Sequence, residues 1–155
     1  MSEQTGVKRR SAEEVAQLCA RTMWEDDQAS QGLGMKLEAV SPGRARLSMP
    51  VREDMVNGHN ICHGGFIFTL ADSTFAFACN YNNYVTVASG GSIDFVAPAR
   101  LGDVLTAEGE EQTRAGRTGV YDIRVENQDG KLIAVFRGRS YQTRGQMIPG
   151  LEVAK

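Results

Sequence analysis

The feature that most constrains this fold is an apolar run that begins after Gly64 and Gly65 and ends at Cys79. Its apolar members leave no wide polar face: Phe66, Ile67, Phe68, Leu70, Ala71, Phe75, Ala76, Phe77, Ala78 and Cys79. A run of about fifteen residues is too long for a typical strand, and a helix that is apolar all round is a buried helix. The sequence therefore predicts one long central helix against which the rest of the chain packs.

A single line of polar side chains remains on that helix. Thr69, Asp72 and Ser73 are spaced three and four residues apart, so they share one stripe. An aspartate is rarely buried without a partner, because burial of its charge is costly and raises its pKa. Asp72 could cap a shorter helix that begins at Ser73, or its carboxylate could be satisfied by Ser73, Thr69 or another chain. The pattern alone leaves these structural readings open beside a catalytic one.

The residues before the apolar run favour a chemical use. His63, Gly64 and Gly65 lie where the helix would start, and a helix N-terminus presents unpaired N–H groups with a partial positive charge. Glycine lets the oxygen of another molecule approach that backbone closely. This is the chemistry of an oxyanion hole or an anion site, although a Gly-Gly pair can also serve only as a tight turn.

The spacing limits how Gly64 and Asp72 could cooperate. Eight residues separate them, which is about 12 Å along one helix axis. The Asp72 side chain leans toward the N-terminus but recovers only part of that gap. If both act on one carbonyl group, they come from two chains, so the motif predicts a homodimer with its site between protomers.

The segment from Asn57 to Asn80 resembles the signature of the hotdog-fold thioesterases, in particular the PaaI-type acyl-CoA thioesterases of phenylacetic acid degradation. The matching stretches are Asn57-Gly58-His59, Cys62-His63-Gly64-Gly65, Leu70-Ala71-Asp72, Phe75 to Asn80, Ile93-Asp94-Phe95 with Pro98, Gly102-Asp103, Thr118 to Ile123 and Phe136-Arg137-Gly138. The likeness covers roughly residues 20 to 145, which is far more than a lone short motif. It implies an α+β hotdog fold, in which a curved antiparallel sheet wraps around one long central helix, with an added N-terminal helix.

The resemblance also implies an activity and a site. The expected reaction is hydrolysis of aryl-type CoA thioesters, such as phenylacetyl or ring-hydroxylated phenylacetyl thioesters, to free acid and CoA, with no cofactor beyond the CoA of the substrate. The expected catalytic residues are Asp72, Gly64 and Asn57, and the expected substrate-binding residues are His63, Gly65 and Ser73. Asp72 would act as general base or as nucleophile, two roles that the sequence does not separate. Relatives commonly form tetramers, so the resemblance implies a homotetramer built as a dimer of dimers.

Further residues are weaker candidates. Ser89 could reach a water molecule, and four arginines could meet the CoA phosphates: Arg100, Arg114, Arg137 and Arg139. Phe66, Phe75 and Met55 could wall a flat acyl ring or could simply be core. Two other functions stay open, a non-catalytic acyl-CoA-binding module and a hotdog dehydratase or hydratase. The second would pair a histidine with an acid in a different motif.

Composition excludes several other classes. A net charge of −2 gives no reason to expect nucleic acid or a membrane surface as partner, and no apolar run is long enough to span a bilayer. Three cysteines without a short spacing argue against disulfides, so the cytoplasm is the expected location. His59 and His63 lack a third ligand, so we expect no metal. Cys62 beside His63 lacks an orienting acid, which makes a packed thiol more plausible than a nucleophile.

The remaining sequence predicts a single domain. We expect a disordered tail over residues 1–10, a hotdog domain over 11–145 and a C-terminal tail over 146–155. Ser11 and Glu14 form a capping box before an amphipathic helix that ends near Asp27. Strands are predicted at 44–50 and 119–126 by alternation, at 85–98 and 105–115, and at 132–139 by a more continuously apolar run, with Asp129-Gly130 as a hairpin turn.

Overall fold

The computed structural model describes residues 6–155. Six strands form one antiparallel sheet in the order β2-β3-β5-β6-β7-β4, and β1 and β8 form a separate parallel pair. The strands are β1 (Lys8–Arg10), β2 (Lys36–Ser41), β3 (Arg44–Pro50), β4 (Tyr84–Phe95), β5 (Val104–Ala115), β6 (Thr118–Glu126), β7 (Leu132–Gln146) and β8 (Leu151–Val153). The helices are α1 (Ala12–Asp26), α2 (Gln28–Gly32) and α3 (Gly64–Cys79), with a 3-10 turn at Glu53–Met55. This arrangement confirms the predicted α+β architecture.

The core lies between α3 and the concave face of the sheet. Phe75 is buried with its ring centroid 5.5 Å from that of Tyr121 and 6.0 Å from that of Phe136. Gly138 makes this packing possible, because a Cβ there would lie 2.9 Å from the ring of Phe75. The central helix is therefore fixed to the sheet by close aromatic contacts, which hold its free side in a defined direction.

The N-terminal helix forms as the capping signal predicts. The Ser11 side chain accepts a hydrogen bond from the Glu14 N–H at 3.2 Å, and α1 ends at Asp26. Trp24 packs against Phe77 of α3 with ring centroids 6.0 Å apart. The short helix α2 follows directly, capped by Asp27, and lies beyond the predicted end of the N-terminal helix.

The ordered chain extends beyond the expected boundaries at both ends. Lys8–Arg10 and Leu151–Val153, which fall within the expected tails, pair with each other as strands, and residues 1–5 lie outside the described part. Asn83 anchors the C-terminal segment, because its amide nitrogen donates to the carbonyl oxygens of Ile148 at 2.7 Å and Leu151 at 2.9 Å. These partners lie far apart in sequence, which is why alternation and turn signals did not predict them.

One edge and one face of the sheet are left open in the single chain. β4 is an edge strand of 12 residues, and no other strand of the described chain pairs with its outer side. The sheet face opposite α3 is polar, with cross-strand pairs such as Arg137–Asp122 and Arg44–Glu110. No helix in the described range is long and apolar enough to cross a membrane.

Candidate active site

The start of α3 leaves one backbone N–H free. His63 is the N-cap, and its Nδ1 accepts a hydrogen bond from the Gly65 N–H at 2.9 Å. The Phe66 N–H donates to the His63 carbonyl oxygen at 3.1 Å. Within residues 6–155 the Gly64 N–H has no hydrogen-bond acceptor. The cap therefore directs a single unpaired donor out of the positive end of the helix.

Close contacts explain the two glycines. A Cβ on Gly64 would lie 2.8 Å from Cζ of Phe95, and one on Gly65 would lie 3.0 Å from Nδ1 of His63. Neither glycine has a positive φ, so a tight turn is not the reason for them. Gly65 makes room for the capping imidazole, and Gly64 makes room for an aromatic ring beside the free N–H.

Asp72 lies in the middle of α3 and has no structural partner in the described chain. It is not an N-cap, because the helix begins eight residues earlier. The Thr69 hydroxyl donates to the Gly65 carbonyl oxygen at 2.8 Å, and the Ser73 hydroxyl lies 2.8 Å from that of Ser30. Neither hydroxyl is bonded to Asp72. The structural readings that the sequence left open therefore find no support within one chain.

The carboxyl group of Asp72 is electrostatically perturbed. Its residue is exposed in the single chain, yet apolar atoms around the carboxyl group desolvate it, and this partial burial raises its pKa above the ordinary value. A carboxylate with a raised pKa and no partner is a better proton acceptor than a surface aspartate.

Ser73 faces the N-terminal helices rather than Asp72. Ser30 is buried, and its hydroxyl donates to Oδ2 of Asp27 at 2.6 Å while it contacts the Ser73 hydroxyl. Adjacent residues on a helix point in different directions, so the structure does not bring the Ser73 hydroxyl to the Asp72 carboxylate. The hydrogen bond between Ser73 and Ser30 therefore connects α3 to α2, next to Asp72 in the sequence.

Asn57 heads a tight loop just before α3. Its Oδ1 accepts the N–H groups of His59 at 2.9 Å and Ile61 at 3.1 Å. Because both partners are donors, the orientation of the amide is determined, and its NH2 group has no acceptor in the described chain. Asn57 therefore holds the loop with one atom and presents a free donor with the other.

The same loop occurs once more in the hairpin between β6 and β7. The Oδ1 of Asn127 accepts the N–H groups of Asp129 and Lys131, each at 3.0 Å. The fourth residue of each loop has a positive φ, 57° at Asn60 and 76° at Gly130. The loop geometry alone is thus a local structural device, and only the position beside the helix start distinguishes Asn57.

The two central candidates do not meet within one chain. Gly64, Phe68 and Asp72 follow one another at intervals of four residues, so they form one line along α3. The free N–H and the carboxylate are about 12 Å apart along the axis. Phe68 and Asp72 of this line are exposed, as is Gly65 beside it, so this line marks the open side of a mostly buried helix.

The structure separates the four candidate arginines. Arg137 forms two hydrogen bonds with Asp122, at 2.7 and 2.8 Å, and Arg114 lies over the ring of Tyr81 and donates to its hydroxyl at 3.1 Å. Arg100 and Arg139 form no ion pair in the described part of the chain.

Ser89 lies near one of these arginines, at an irregularity in the pairing of β4 with β7. Its hydroxyl donates to the backbone oxygen of Arg139 at 3.1 Å. The side chain is exposed on the edge strand, and its one hydrogen bond within residues 6–155 is to β7 and not to α3.

The side chains that could contact an acyl ring differ from those expected. Phe75 and Met55 are fully buried and belong to the core, while Phe66 is half-buried with its ring edge-on to His63. Two other rings at the site are exposed: Phe95, which lies against Gly64, at 54%, and Phe68, which lies between Gly64 and Asp72 on α3, at 37%. Sequence reasoning missed both, because one lay in the helix pattern and the other at the end of a strand.

The described residues contain no cluster of metal ligands, and the Cys62 thiol is buried. His63 already uses Nδ1 to cap the helix, and no group of three potential ligands occurs among residues 6–155. Burial raises the pKa of the Cys62 thiol to about 11, so it is a packed thiol rather than a nucleophile. A groove of about 860 Å³ crosses the polar face of the sheet, but neither Gly64 nor Asp72 lines it.

Comparison with known proteins concerns the family and the fold of this chain. The model of the thioesterase superfamily matches residues 59–134. The acyl-coenzyme A thioesterase PaaI of Escherichia coli K12 is 43% identical over 126 residues, which span 81% of this chain and 90% of that protein. The structure of the E. coli PaaI protein from the phenylacetic acid degradation operon has a TM-score of 0.85 at 39% identity, covering 93% of this chain and 100% of its own. A hypothetical thioesterase of Streptococcus pneumoniae TIGR4, solved with coenzyme A, has a TM-score of 0.68 at 27% identity, covering 72% and 90%.

Proposed function

Because this chain belongs to the PaaI-type acyl-CoA thioesterases of the hotdog thioesterase superfamily, and is therefore a thioester hydrolase, we propose that it cleaves aryl-acyl CoA thioesters at a site shared by two protomers. One observation carries the proposal. A single helix bears a free N–H at its start and an unpaired, desolvated carboxylate eight residues later, and the two lie too far apart to act on one carbonyl within a chain.

The Gly64 N–H would bind the thioester carbonyl oxygen. In the transition state this oxygen gains negative charge, which the unpaired N–H and the positive end of the helix stabilise. His63 supports this role by occupying the Gly65 N–H, and Gly65 supports it by making room for the imidazole. The free NH2 group of Asn57 would orient the attacking water or the substrate.

Asp72 of the facing protomer would supply the other half of the reaction. As a general base it would take a proton from water while the water oxygen bonds to the carbonyl carbon, after which the C–S bond breaks and CoA leaves. As a nucleophile its carboxylate oxygen would attack the carbonyl carbon, the C–S bond would break and CoA would leave as the thiolate, and water would then open the resulting anhydride to give the free acid and restore the carboxylate. The raised pKa favours the general-base route, because it makes the carboxylate a better acceptor for the proton of water.

A homodimer would bring the two groups together. On the open side of α3, Gly64 lies against Phe95 of β4 and Phe68 packs against Phe136 of β7, and these two strands end the sheet order. A long edge strand with exposed apolar residues is usually covered. Dimers would associate further into a homotetramer, as the resemblance implies. We place the reaction in the cytoplasm, where the three cysteines, all free here, would stay reduced.

The acyl group is proposed from the relatives together with the rings at the site. The similar E. coli protein comes from the phenylacetic acid degradation operon. In this chain two exposed phenylalanines lie at the proposed site, Phe68 between Gly64 and Asp72 on α3 and Phe95 against Gly64. Phenylacetyl-CoA and its ring-hydroxylated forms are the proposed substrates, which would place the protein in aromatic-acid degradation.

The decisive experiment measures release of free CoA from a panel of thioesters by the wild type and by Asp72→Asn. The panel contains phenylacetyl-CoA, ring-hydroxylated phenylacetyl-CoA, benzoyl-CoA and straight-chain acyl-CoAs. Turnover concentrated on the aryl thioesters, and lost in a folded Asp72→Asn protein, is the expected result. Equal turnover by both proteins would refute the role of Asp72, and a preference for straight chains would refute the aryl assignment.

A further inference from the structure

Phe95 is positioned beside the oxyanion donor in a way that the chemistry of hydrolysis does not require. It is the last residue of β4 and pairs with Ala134 of β7, which is buried on the helix side of the sheet. Paired residues of antiparallel strands share a face, so the Phe95 ring also lies on the helix side. Its Cζ, Cε1 and Cε2 atoms are the atoms nearest to where a Gly64 Cβ would be, at 2.8, 3.2 and 3.2 Å.

This ring remains largely uncovered in the chain. Phe95 is 54% exposed although it contacts the backbone of α3, so its edge rests on Gly64 while much of its surface is open. Large aromatic side chains contribute strongly to stability when they are buried, and an exposed one beside a catalytic donor gains little from folding. The position is better explained by contact with a ligand.

Phe68 provides a second ring one turn along the same line of the helix. It lies four residues after Gly64 and four before Asp72, and it is 37% exposed. Its ring packs edge-on against Phe136, with centroids 5.3 Å apart and planes at 83°. The packing against a buried ring fixes the orientation of Phe68, so its exposed part is a rigid surface.

We propose that Phe95 and Phe68 form an aromatic wall that selects an aryl acyl group over an aliphatic one. This inference rests on the proposed function, because it places the acyl group of the thioester beside the Gly64 N–H. When the carbonyl oxygen binds that N–H, the acyl carbon chain extends toward one of the two neighbouring rings. A flat ring makes offset or edge-on contacts with both, whereas a flexible alkyl chain loses rotational freedom for a smaller gain.

The selectivity comes from Phe95 more than from Phe68. Phe95 contacts the residue that bears the donor, so its ring is nearest to the atoms adjacent to the carbonyl group. Phe68 is partly committed to Phe136, so removing it also disturbs the core. Phe95 is therefore the residue to vary, and because its side chain is exposed, we expect the variants to fold.

The test compares kcat/KM for phenylacetyl-CoA and for a straight-chain acyl-CoA of similar carbon number. We expect Phe95→Ala to lower the aryl value by about tenfold and the aliphatic value by less than about twofold, because an aromatic contact contributes little to an alkyl chain. Phe95→Tyr should keep the preference, and Phe95→Leu should lose it although the side chain stays apolar. Val104→Ala, a similarly exposed apolar position on β5, is the matched control and should change neither value.

The outcomes separate this inference from the proposed function. Loss of activity toward both thioesters by the same factor in Phe95→Ala would overturn the inference, since the ring would then only shield the donor from water. An unchanged aryl preference in Phe95→Ala and Phe95→Leu would overturn it as well. A wild type that does not prefer aryl thioesters would refute the proposed substrate class itself, and the wall with it, before any variant is measured.

Discussion

A site divided between protomers can be tested by mixing two inactive variants. One variant is Asp72→Asn, which removes the carboxylate. The other is Gly64→Pro, which removes the free N–H and also places a Cβ against the Phe95 ring. Proline is favoured at the first helical position, and the residue before it must be extended, as His63 is with φ −60° and ψ 132°. Each change therefore removes one half of the proposed site and preserves the helix.

The size of each defect follows from the role of the group. Loss of one oxyanion donor costs about 10²- to 10³-fold in kcat, and loss of a general base about 10²- to 10⁴-fold. Gly64→Ala separates the N–H from the added bulk, because it also places a Cβ against the Phe95 ring but keeps the donor. We expect Gly64→Pro to be much less active than Gly64→Ala.

Equal amounts of the two inactive variants are then exchanged until dimers are random. Half of the dimers are heterodimers, and each has one site that combines an intact Gly64 with an intact Asp72 from the other chain. About a quarter of the wild-type activity should return, since a two-fold interface holds two equivalent sites. The assay is release of free CoA thiol, with circular dichroism and size-exclusion chromatography to show that each variant is folded and assembled.

A second mixture makes the result independent of the first. Wild type is exchanged with the double variant Gly64→Pro/Asp72→Asn, so that every heterodimer site lacks one of the two groups. Relative to wild type at the same total protein concentration, a divided site predicts about a quarter of the activity, and a site within one chain predicts about a half. No recovery in the first mixture together with one half in the second would refute the shared site.

Three further predictions concern single residues near the helix. Asn57→Asp keeps the Oδ1 acceptor but removes the free NH2 group, so we expect lower kcat with unchanged thermal stability, while Asn127→Asp in the identical loop should leave kcat unchanged; equal kcat values would contradict a role for the amide. Because burial raises the pKa of Asp72, the folded state holds its proton more tightly than the unfolded state, so stability falls as pH rises from the unfolded value through the raised one. Asp72→Asn should therefore raise the melting temperature at neutral pH and lose this advantage in acid, and the wild-type rate should fall as pH drops through the same raised pKa. Ser30→Ala removes the hydroxyl that bonds Oδ2 of Asp27 and the Ser73 hydroxyl, while the backbone N–H of residue 30 still donates to Oδ1 of Asp27. The change should cost about 1–2 kcal/mol in urea unfolding, with the exposed Ser92→Ala as control.

The sequence predicted the elements whose signals are local. The apolar run to Cys79, the Ser11 cap and the strands each depend on neighbouring residues, so most were predicted close to their observed bounds, although β7 continues from the predicted end at Arg139 to Gln146. β2 was missed because, as an edge strand, it has only Val40 fully buried, which leaves no alternation to detect. β1 and β8 were missed because each has three residues and finds its partner at the other end of the chain.

The site was predictable in part for the same reason. Gly64 and Asp72 follow from helix polarity and from the cost of burying a carboxylate, both of which are visible along the sequence. The partner of Ser73 is Ser30, which lies 43 residues away and carries no sequence signal. The contact of Phe95 with Gly64 likewise depends on how β4 crosses the start of α3, which only the assembled sheet defines.

One difference between sequence and structure itself supports assembly. The pattern of α3 is apolar all round, which predicts burial on every side, yet Gly65, Phe68 and Asp72 are exposed in the single chain. A surface helix normally shows a polar face, since apolar side chains gain nothing from contact with water. α3 has none on this side, and the adjoining edge strand carries exposed Val87 and Phe95. A second copy over this side would cover Val87 and enclose Phe68, Phe95 and Asp72 as walls of a site between the two protomers, which would shield Asp72 further. The same contact that explains the helix pattern would therefore raise the pKa of the proposed base and bring it to the partner's oxyanion donor.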